Sequence, residues 1–218
     1  MNKVLKMLTL DFSLIKPYSK SLLIAFLAPL VVLYTTKDFV SGLVVCMSIL
    51  AMTSNYTFSV AEKNDLNRLY GLIPVTKKDI VNGRYLFTAL TGVFAVICVT
   101  ILNTLIMTVS KISFSIEDLI VALSVGLGIY MFFTAIQLPG FFKFGAIKGR
   151  FISFIPFLGM ILVSAIAQGL SPESLDKLPD IAVLNNPYSL LVISVLLDII
   201  FYGISIGISQ RIYDRMEL

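Results

Sequence analysis

Six stretches of this chain are almost empty of charge: Ser21 to Thr36, Phe39 to Ala61, Tyr85 to Ser110, Leu119 to Phe142, Phe151 to Pro172 and Ile181 to Gln210. Only the last is interrupted, by Asp198. A hydrocarbon core roughly 30 Å thick takes about 20 apolar residues at helical rise. Five of the stretches reach that length. The first falls short, and spans if Tyr18, Ser19 and the flanking lysine stems snorkel or the bilayer thins. Helices that are apolar on every face belong in lipid rather than around one soluble core, and a helix pairs its own backbone there. The pattern predicts an all-α, polytopic membrane protein. Its six transmembrane helices fall over residues 21–36, 39–61, 85–110, 119–142, 151–172 and 187–210, in a single domain over 1–218.

Three segments outside the spans carry a pattern of their own. Over 1–16, Val4, Leu5, Leu8, Phe12 and Ile15 recur at helical spacing, while Lys3, Lys6 and Lys16 mark the polar side. That predicts an amphipathic helix lying in the membrane interface and ended by Pro17. Over 62–84, Leu66, Leu69, Tyr70 and Ile73 form one apolar stripe, with Glu62, Lys63, Asp65 and Arg68 around it. Gly71 and Pro74 end this short helix. Thr76 with Asp79 then predicts a capping box, from which the next helix runs into the third span. Over 171–187, Ser171-Pro172-Glu173 and Asn186-Pro187 each read as a helix start. Leu175, Leu178, Ile181, Ala182 and Leu184 are too apolar for a solvated loop. Short external re-entrant or interface helices are expected there, before the last span.

Charge sets the orientation. All but Lys37, Lys111 and Lys177 of the 17 lysines and arginines fall in gaps that share a side with the N-terminus. Basic residues collect on the cytoplasmic side, so both termini and the 62–84 loop are expected there. Apart from Asp198, the acids divide evenly, so the net charge of +4 reflects topology and gives no reason to expect nucleic acid as a partner. The first 20 residues have no compact apolar segment with a small-residue cleavage site, and are not expected to be a removable signal. Cys46 and Cys98 lie within spans, as small core residues rather than a disulfide framework.

The chemistry of hydrolysis is missing. Histidine is absent from the 218 residues, which removes imidazole bases, proton relays and histidine-dependent zinc sites. Gly140 to Gly145 has the glycine spacing of a phosphate loop, but Ala146 and Ile147 stand where Lys and Ser or Thr are needed. No catalytic residue, metal site or bound cofactor is expected, and the chain is not expected to be an enzyme.

A charge near the centre of a span costs ~2.5–3.5 kcal/mol on insertion scales, so Asp198 is expected to face other helices or an aqueous cavity. Ser194 and Tyr202, one turn either way, are its expected hydrogen-bond partners, as are Asn103 and Gln137 from other spans. Asp198, Asn103 and Gln137 thus form a candidate intramembrane polar site. Two readings stand together: a substrate, proton or subunit contact, and a protonated or hydrogen-bonded structural aspartate. Gly203 and Gly207 present a small-x-x-x-small face for close packing, within the subunit or across a dimer. Pro29, Pro139 and Pro156 are expected to bend their helices.

Together these features resemble the ABC-2 (type V) family of ATP-binding-cassette transporter permeases. The most specific stretch is Glu62 to Val81, similar to the family's acid-rich helix followed by a Leu-Pro-Val-Ser/Thr-Arg/Lys element, here Ile73-Pro74-Val75-Thr76-Lys77, and then Arg84-Tyr85 leading into the third span. Ile73 replaces the usual leucine. The resemblance implies that the loop is a coupling helix docking on two copies of a separate ABC ATPase subunit, which bind the ATP and magnesium. It also implies a second permease, identical or related, in the bacterial cell membrane. On that basis Leu66, Leu69, Tyr70 and Ile73 are the expected docking face and Glu62, Asp65 and Arg68 its polar rim. The compact length is similar to small bacterial permeases that export amphipathic peptides, lantibiotics or phenol-soluble modulins. The alternative is a non-transporting membrane protein that binds a peptide or an assembly partner, of an immunity or sensor type.

Overall fold

The computed structural model describes residues 3–18, 31, 34–35, 38–66, 70, 75–159, 161–162 and 186–216. The main elements among them are helices: α1 (Lys3–Ile15), α2 (Phe39–Met52), α3 (Asn55–Lys63), α4 (Lys77–Val109), α5 (Ile116–Lys148) and α6 (Pro187–Asp214). Among the described residues, four stretches are long and apolar enough to cross a membrane: Phe39–Lys63, Lys77–Val109, Ile116–Gly159 and Pro187–Asp214. Three of them cover the second, third and last expected spans, while Ile116–Gly159 covers the fourth, runs on through the gap expected at 143–150 and takes in the first nine residues of the fifth. The first expected span, 21–36, lies outside the described residues apart from Val31, Tyr34 and Thr35. So do residues 160 and 163–172 of the fifth span, and the expected external helices over 171–185.

Helix starts follow local chemistry. Thr76 Oγ1 accepts from Asp79 N at 3.2 Å while Thr76 N donates to Asp79 Oδ2 at 3.0 Å. This is the capping box read from the sequence, and α4 runs from it without interruption. Asn186 Oδ1 accepts from Tyr188 N at 3.0 Å, with Pro187 in the first turn of α6. A second capping box, Ser115 with Asp118, opens α5 and was not anticipated.

Helix breaks depart from expectation. The 39–61 span is two helices, parted at Thr53 and Ser54. Thr53 Oγ1 donates to Leu50 O at 2.6 Å and Ser54 Oγ donates to Gln137 Oε1 at 2.9 Å, so hydroxyls compete with the helical ladder at that point. In α5 the non-helical residue is Gly145, beyond Pro139.

Two apolar clusters hold the bundle. One gathers Leu43, Cys46, Met47, Val96, Val99 and Tyr130 from α2, α4 and α5. The other gathers Met7, Phe58, Tyr85, Phe141, Phe142 and Tyr213, and so joins α1, α3, α4, α5 and α6 at one end. There α1 lies directly on α4, since a Cβ at Gly83 would stand 2.5 Å from Met7 Cβ. Its Leu5 and Phe12 point outward while Met7 and Asp11 point in.

Candidate functional site

The end of the bundle that carries the 62–84 loop is built around one arginine. Arg84 stands just before the uncharged stretch of α4 and is 4% exposed. A guanidinium there keeps its charge, so it must collect partners from neighbouring elements. Its Nε stands 3.5 Å from Asp11 Oδ1, and Asp11 is fully buried. Its Nη2 donates to the Tyr70 hydroxyl at 3.3 Å, and its plane lies over the Phe58 ring at 4.3 Å. Helix α1, the 62–84 loop, α3 and α4 therefore meet on a single side chain. Burial pushes the Asp11 carboxyl up and Arg84 pulls it back, burial being the larger effect because the pair is looser than a hydrogen-bonded contact. Burial likewise raises the Tyr70 hydroxyl.

A cavity of about 410 Å³ opens beside this cluster, lined among others by Phe58, Glu62, Tyr70, Arg84, Phe142 and Tyr213. Its wall also includes Lys143, Lys148 and Met216, so the segments that the charge pattern assigned to one side do lie at one end. At the opposite end Phe39 and Phe114 stack 5.6 Å apart. The neighbouring residue Tyr85 stitches α6 to this site: its hydroxyl shares hydrogen bonds with Ser205 and Ser209, the latter at 2.8 Å. Gln210 Nε2 donates to Asn82 Oδ1 at 2.9 Å, and Lys77 Nζ to Asp214 O at 3.1 Å.

The residues expected to face an ATPase are divided. Tyr70, expected on an open stripe, is 2% exposed and serves Arg84 instead. Leu66 is half-buried against the aromatic cluster. Glu62, expected on the rim, turns inward, its Oε2 accepting from Ala146 N at 2.7 Å and Ile147 N at 3.0 Å. Asp65 is exposed. Arg68, Leu69 and Ile73 lie outside the described residues.

The intramembrane candidates do not converge. Asn103 Nδ2 donates to Phe39 O at 2.9 Å and fastens the start of α2 to α4. Gln137 accepts from Ser54 at the α2–α3 break, and its Nε2 donates to Ile152 O at 3.3 Å and Ser153 O at 3.4 Å. Asp198 meets neither, nor its helical neighbours: Ser194 donates to Leu191 O, and the Tyr202 hydroxyl pairs with Thr134 at 3.0 Å. Among the described residues, Asp198 Oδ2 is buried without a hydrogen-bond partner. Among the described residues, nothing stands within 4 Å of a Cβ added at Gly203 or Gly207.

The sequence reading does not single out Asp11, takes Arg84 only as the entry to the third span and Gly145 only as part of a phosphate-loop spacing. A signal for Asp11 was present: it falls on the same helical stripe as Val4, Leu8 and Ile15, an acid on an apolar face. The Gly140–Gly145 spacing has a packing reason. A Cβ at Gly140 would stand 2.6 Å from Ile152 Cδ1, and Gly145 makes the break in α5.

No curated protein and no solved structure matches the chain. The model of one family does match, over residues 6–214, and that family is described as ABC-2 family transporter protein. The match runs from α1 through the Arg84 cluster to the end of α6, the elements that the cluster ties together. The chain therefore belongs to the ABC-2 family of transporter proteins.

Proposed function

We propose that this chain is the permease subunit of an ATP-driven exporter. It moves an amphipathic or hydrophobic substrate, such as a peptide, and takes its energy from two copies of a separate ATPase docked on the 62–84 loop. ATP and magnesium sit on those partners. A second permease, identical or related, completes the pathway, and both termini lie in the cytoplasm.

The observation that carries the reading is the junction at Arg84, which joins the loop to both the interface helix and the third span through Tyr70 and Asp11. An element that docks differently in two nucleotide states can shift their balance. A push on this loop would reach α1 and α4 together. In this reading the docking face keeps the exposed Asp65 with Arg68, Leu69 and Ile73, while Tyr70 and Glu62 root the loop in the permease.

Co-purification tests the docking. Arg68→Glu with Leu69→Asp is expected to abolish recovery of the ATPase with the chain while membrane insertion is retained. Undiminished recovery would sink the docking assignment.

A further inference from the structure

The docking loop begins where α3 ends. Asn64 Nδ2 donates back to Val60 O at 2.8 Å, and Asp65 takes a positive φ of 49° to turn the chain away. Just before that turn, Glu62 leaves α3 and reaches across to α5. There Gly145 adopts φ 75°, ψ 176°, a conformation essentially confined to glycine. Such a break strands N–H groups that a continuous helix would have paired. Glu62 Oε2 takes two of them, from Ala146 and Ile147. A Cβ at position 145 would stand 3.1 Å from that same oxygen. Past the break the chain passes into a 3-10 turn, Gly149–Phe154, whose Ile152 and Ser153 carbonyls accept from Gln137. Segment 146–154 is therefore gripped from α3 by Glu62 and from α5 by Gln137.

We propose that Glu62 is a positioning residue, a clasp through which movement of the docked loop reaches the break in α5. This rests on the docking role proposed for the 62–84 loop. Hydrogen bonds to a carboxylate are short and strong, and both of these end on one oxygen, so displacement of the last turn of α3 lengthens them together. With the clasp closed, both donors are satisfied and the 146–154 segment is fixed. With it open, the glycine is left as a hinge flanked by two unpaired N–H groups. Two discrete arrangements of one element are what transmit a change between distant sites. The ATPases would thus act on α5 through Glu62 and on α1 and α4 through Arg84.

The test is amide hydrogen exchange over residues 143–154, in the full chain purified with its ATPases, with and without ATP and vanadate. In the wild-type complex the exchange rate is expected to change about tenfold between the two states, as a local opening equilibrium shifts. Glu62→Ala is expected to keep the ATPase bound but exchange fast in both states, the nucleotide response falling below about twofold. Glu62→Gln, which retains an acceptor oxygen without the charge, is expected to lie between. A Glu62→Ala complex that responds to nucleotide like the wild type would overturn the clasp. So would one that loses the ATPase, since Glu62 would then be a docking residue. If Glu62→Ala does not accumulate, Glu62→Gln is read by the same two criteria. Failure of the wild-type chain to retain any ATPase removes the docking reading itself, and the clasp with it, before any variant is made.

Discussion

The two ends of the polar inventory behave differently. At the loop end, side chains from one element complete the backbone or the charge of another: Glu62 serves the α5 break, Gln137 the α2–α3 break and the 3-10 turn, and Asp11 and Tyr70 serve Arg84. On α6 the picture splits by face. Ser205 and Ser209 meet Tyr85, whereas Gly203 and Gly207, about 200° round the helix from them, meet nothing within 4 Å among the described residues. Asp198, seven residues before Ser205 and on the same face as it, stands beside Gly128 of α5, its Oδ2 buried without a hydrogen-bond partner among the described residues. Polar groups inside lipid must be satisfied by protein. At the loop end this chain does so in part: the Asp11 carboxyl oxygens and Arg84 Nε are held by charge at 3.5 Å, without a hydrogen bond among the described residues.

The largest effect is expected where the loop end is most self-contained. Removing one member of a buried ion pair leaves the other charge stranded, at a cost of about 3–5 kcal/mol. Asp11→Leu or Arg84→Met alone should therefore sharply lower the melting temperature of the detergent-solubilised protein. The double variant Asp11→Leu, Arg84→Met should recover most of the loss, because apolar replacement of both partners is close to neutral. Single variants that melt like the wild type would mean that this pair does not fasten α1 to α4. Next comes Gly145→Ala, which forces a side chain into a glycine-only conformation at about 1–3 kcal/mol. Faster exchange of the Ala146 and Ile147 amides would locate the damage at the clasp rather than in global unfolding.

The sequence made one kind of feature legible and hid another. The starts at Thr76 and Asn186 depend on residues three or fewer positions apart, so they could be read directly. The same holds for the four spans that the structure covers, whose signal is local apolarity. The Asp11–Arg84 pair, the Glu62 clasp and the Gln137 bridge each join residues far apart in the chain, and no local pattern specifies which acid meets which donor. Glu62 and Tyr70 were placed outward because their helical positions suited a docking face. Tertiary demand from Gly145 and Arg84 drew them in.

A smaller effect concerns the start of α4, where the loop end meets water. Thr76→Ala should cost about 1 kcal/mol by losing an N-cap. The Thr76 hydroxyl and backbone N–H hold the Asp79 carboxyl below its ordinary value of 3.8. A depressed acid stabilises the folded state above the unfolded pKa, and that contribution is lost as pH falls through the folded one. Melting followed from neutral pH downward should thus show a small acid-side loss that Asp79→Asn removes. An unchanged profile in Asp79→Asn would show that the cap is not coupled to stability.

The smallest effect, and the one of opposite sign, is expected on α6. Alanine is preferred over glycine within a helix by about 0.5–1 kcal/mol, because glycine gives up more backbone freedom on folding. At Gly203 and Gly207 no atom of the described residues within 4 Å opposes the added methyl group. If that face stays open, Gly203→Ala and Gly207→Ala should leave the melting temperature unchanged or slightly raise it. Close packing against another helix reverses the sign, since small residues are what let backbones approach in lipid. Melting of each variant at two protein concentrations in detergent separates the remaining cases. A loss that is independent of concentration places a segment of this same chain on the glycine face. A loss that grows on dilution places a second subunit there.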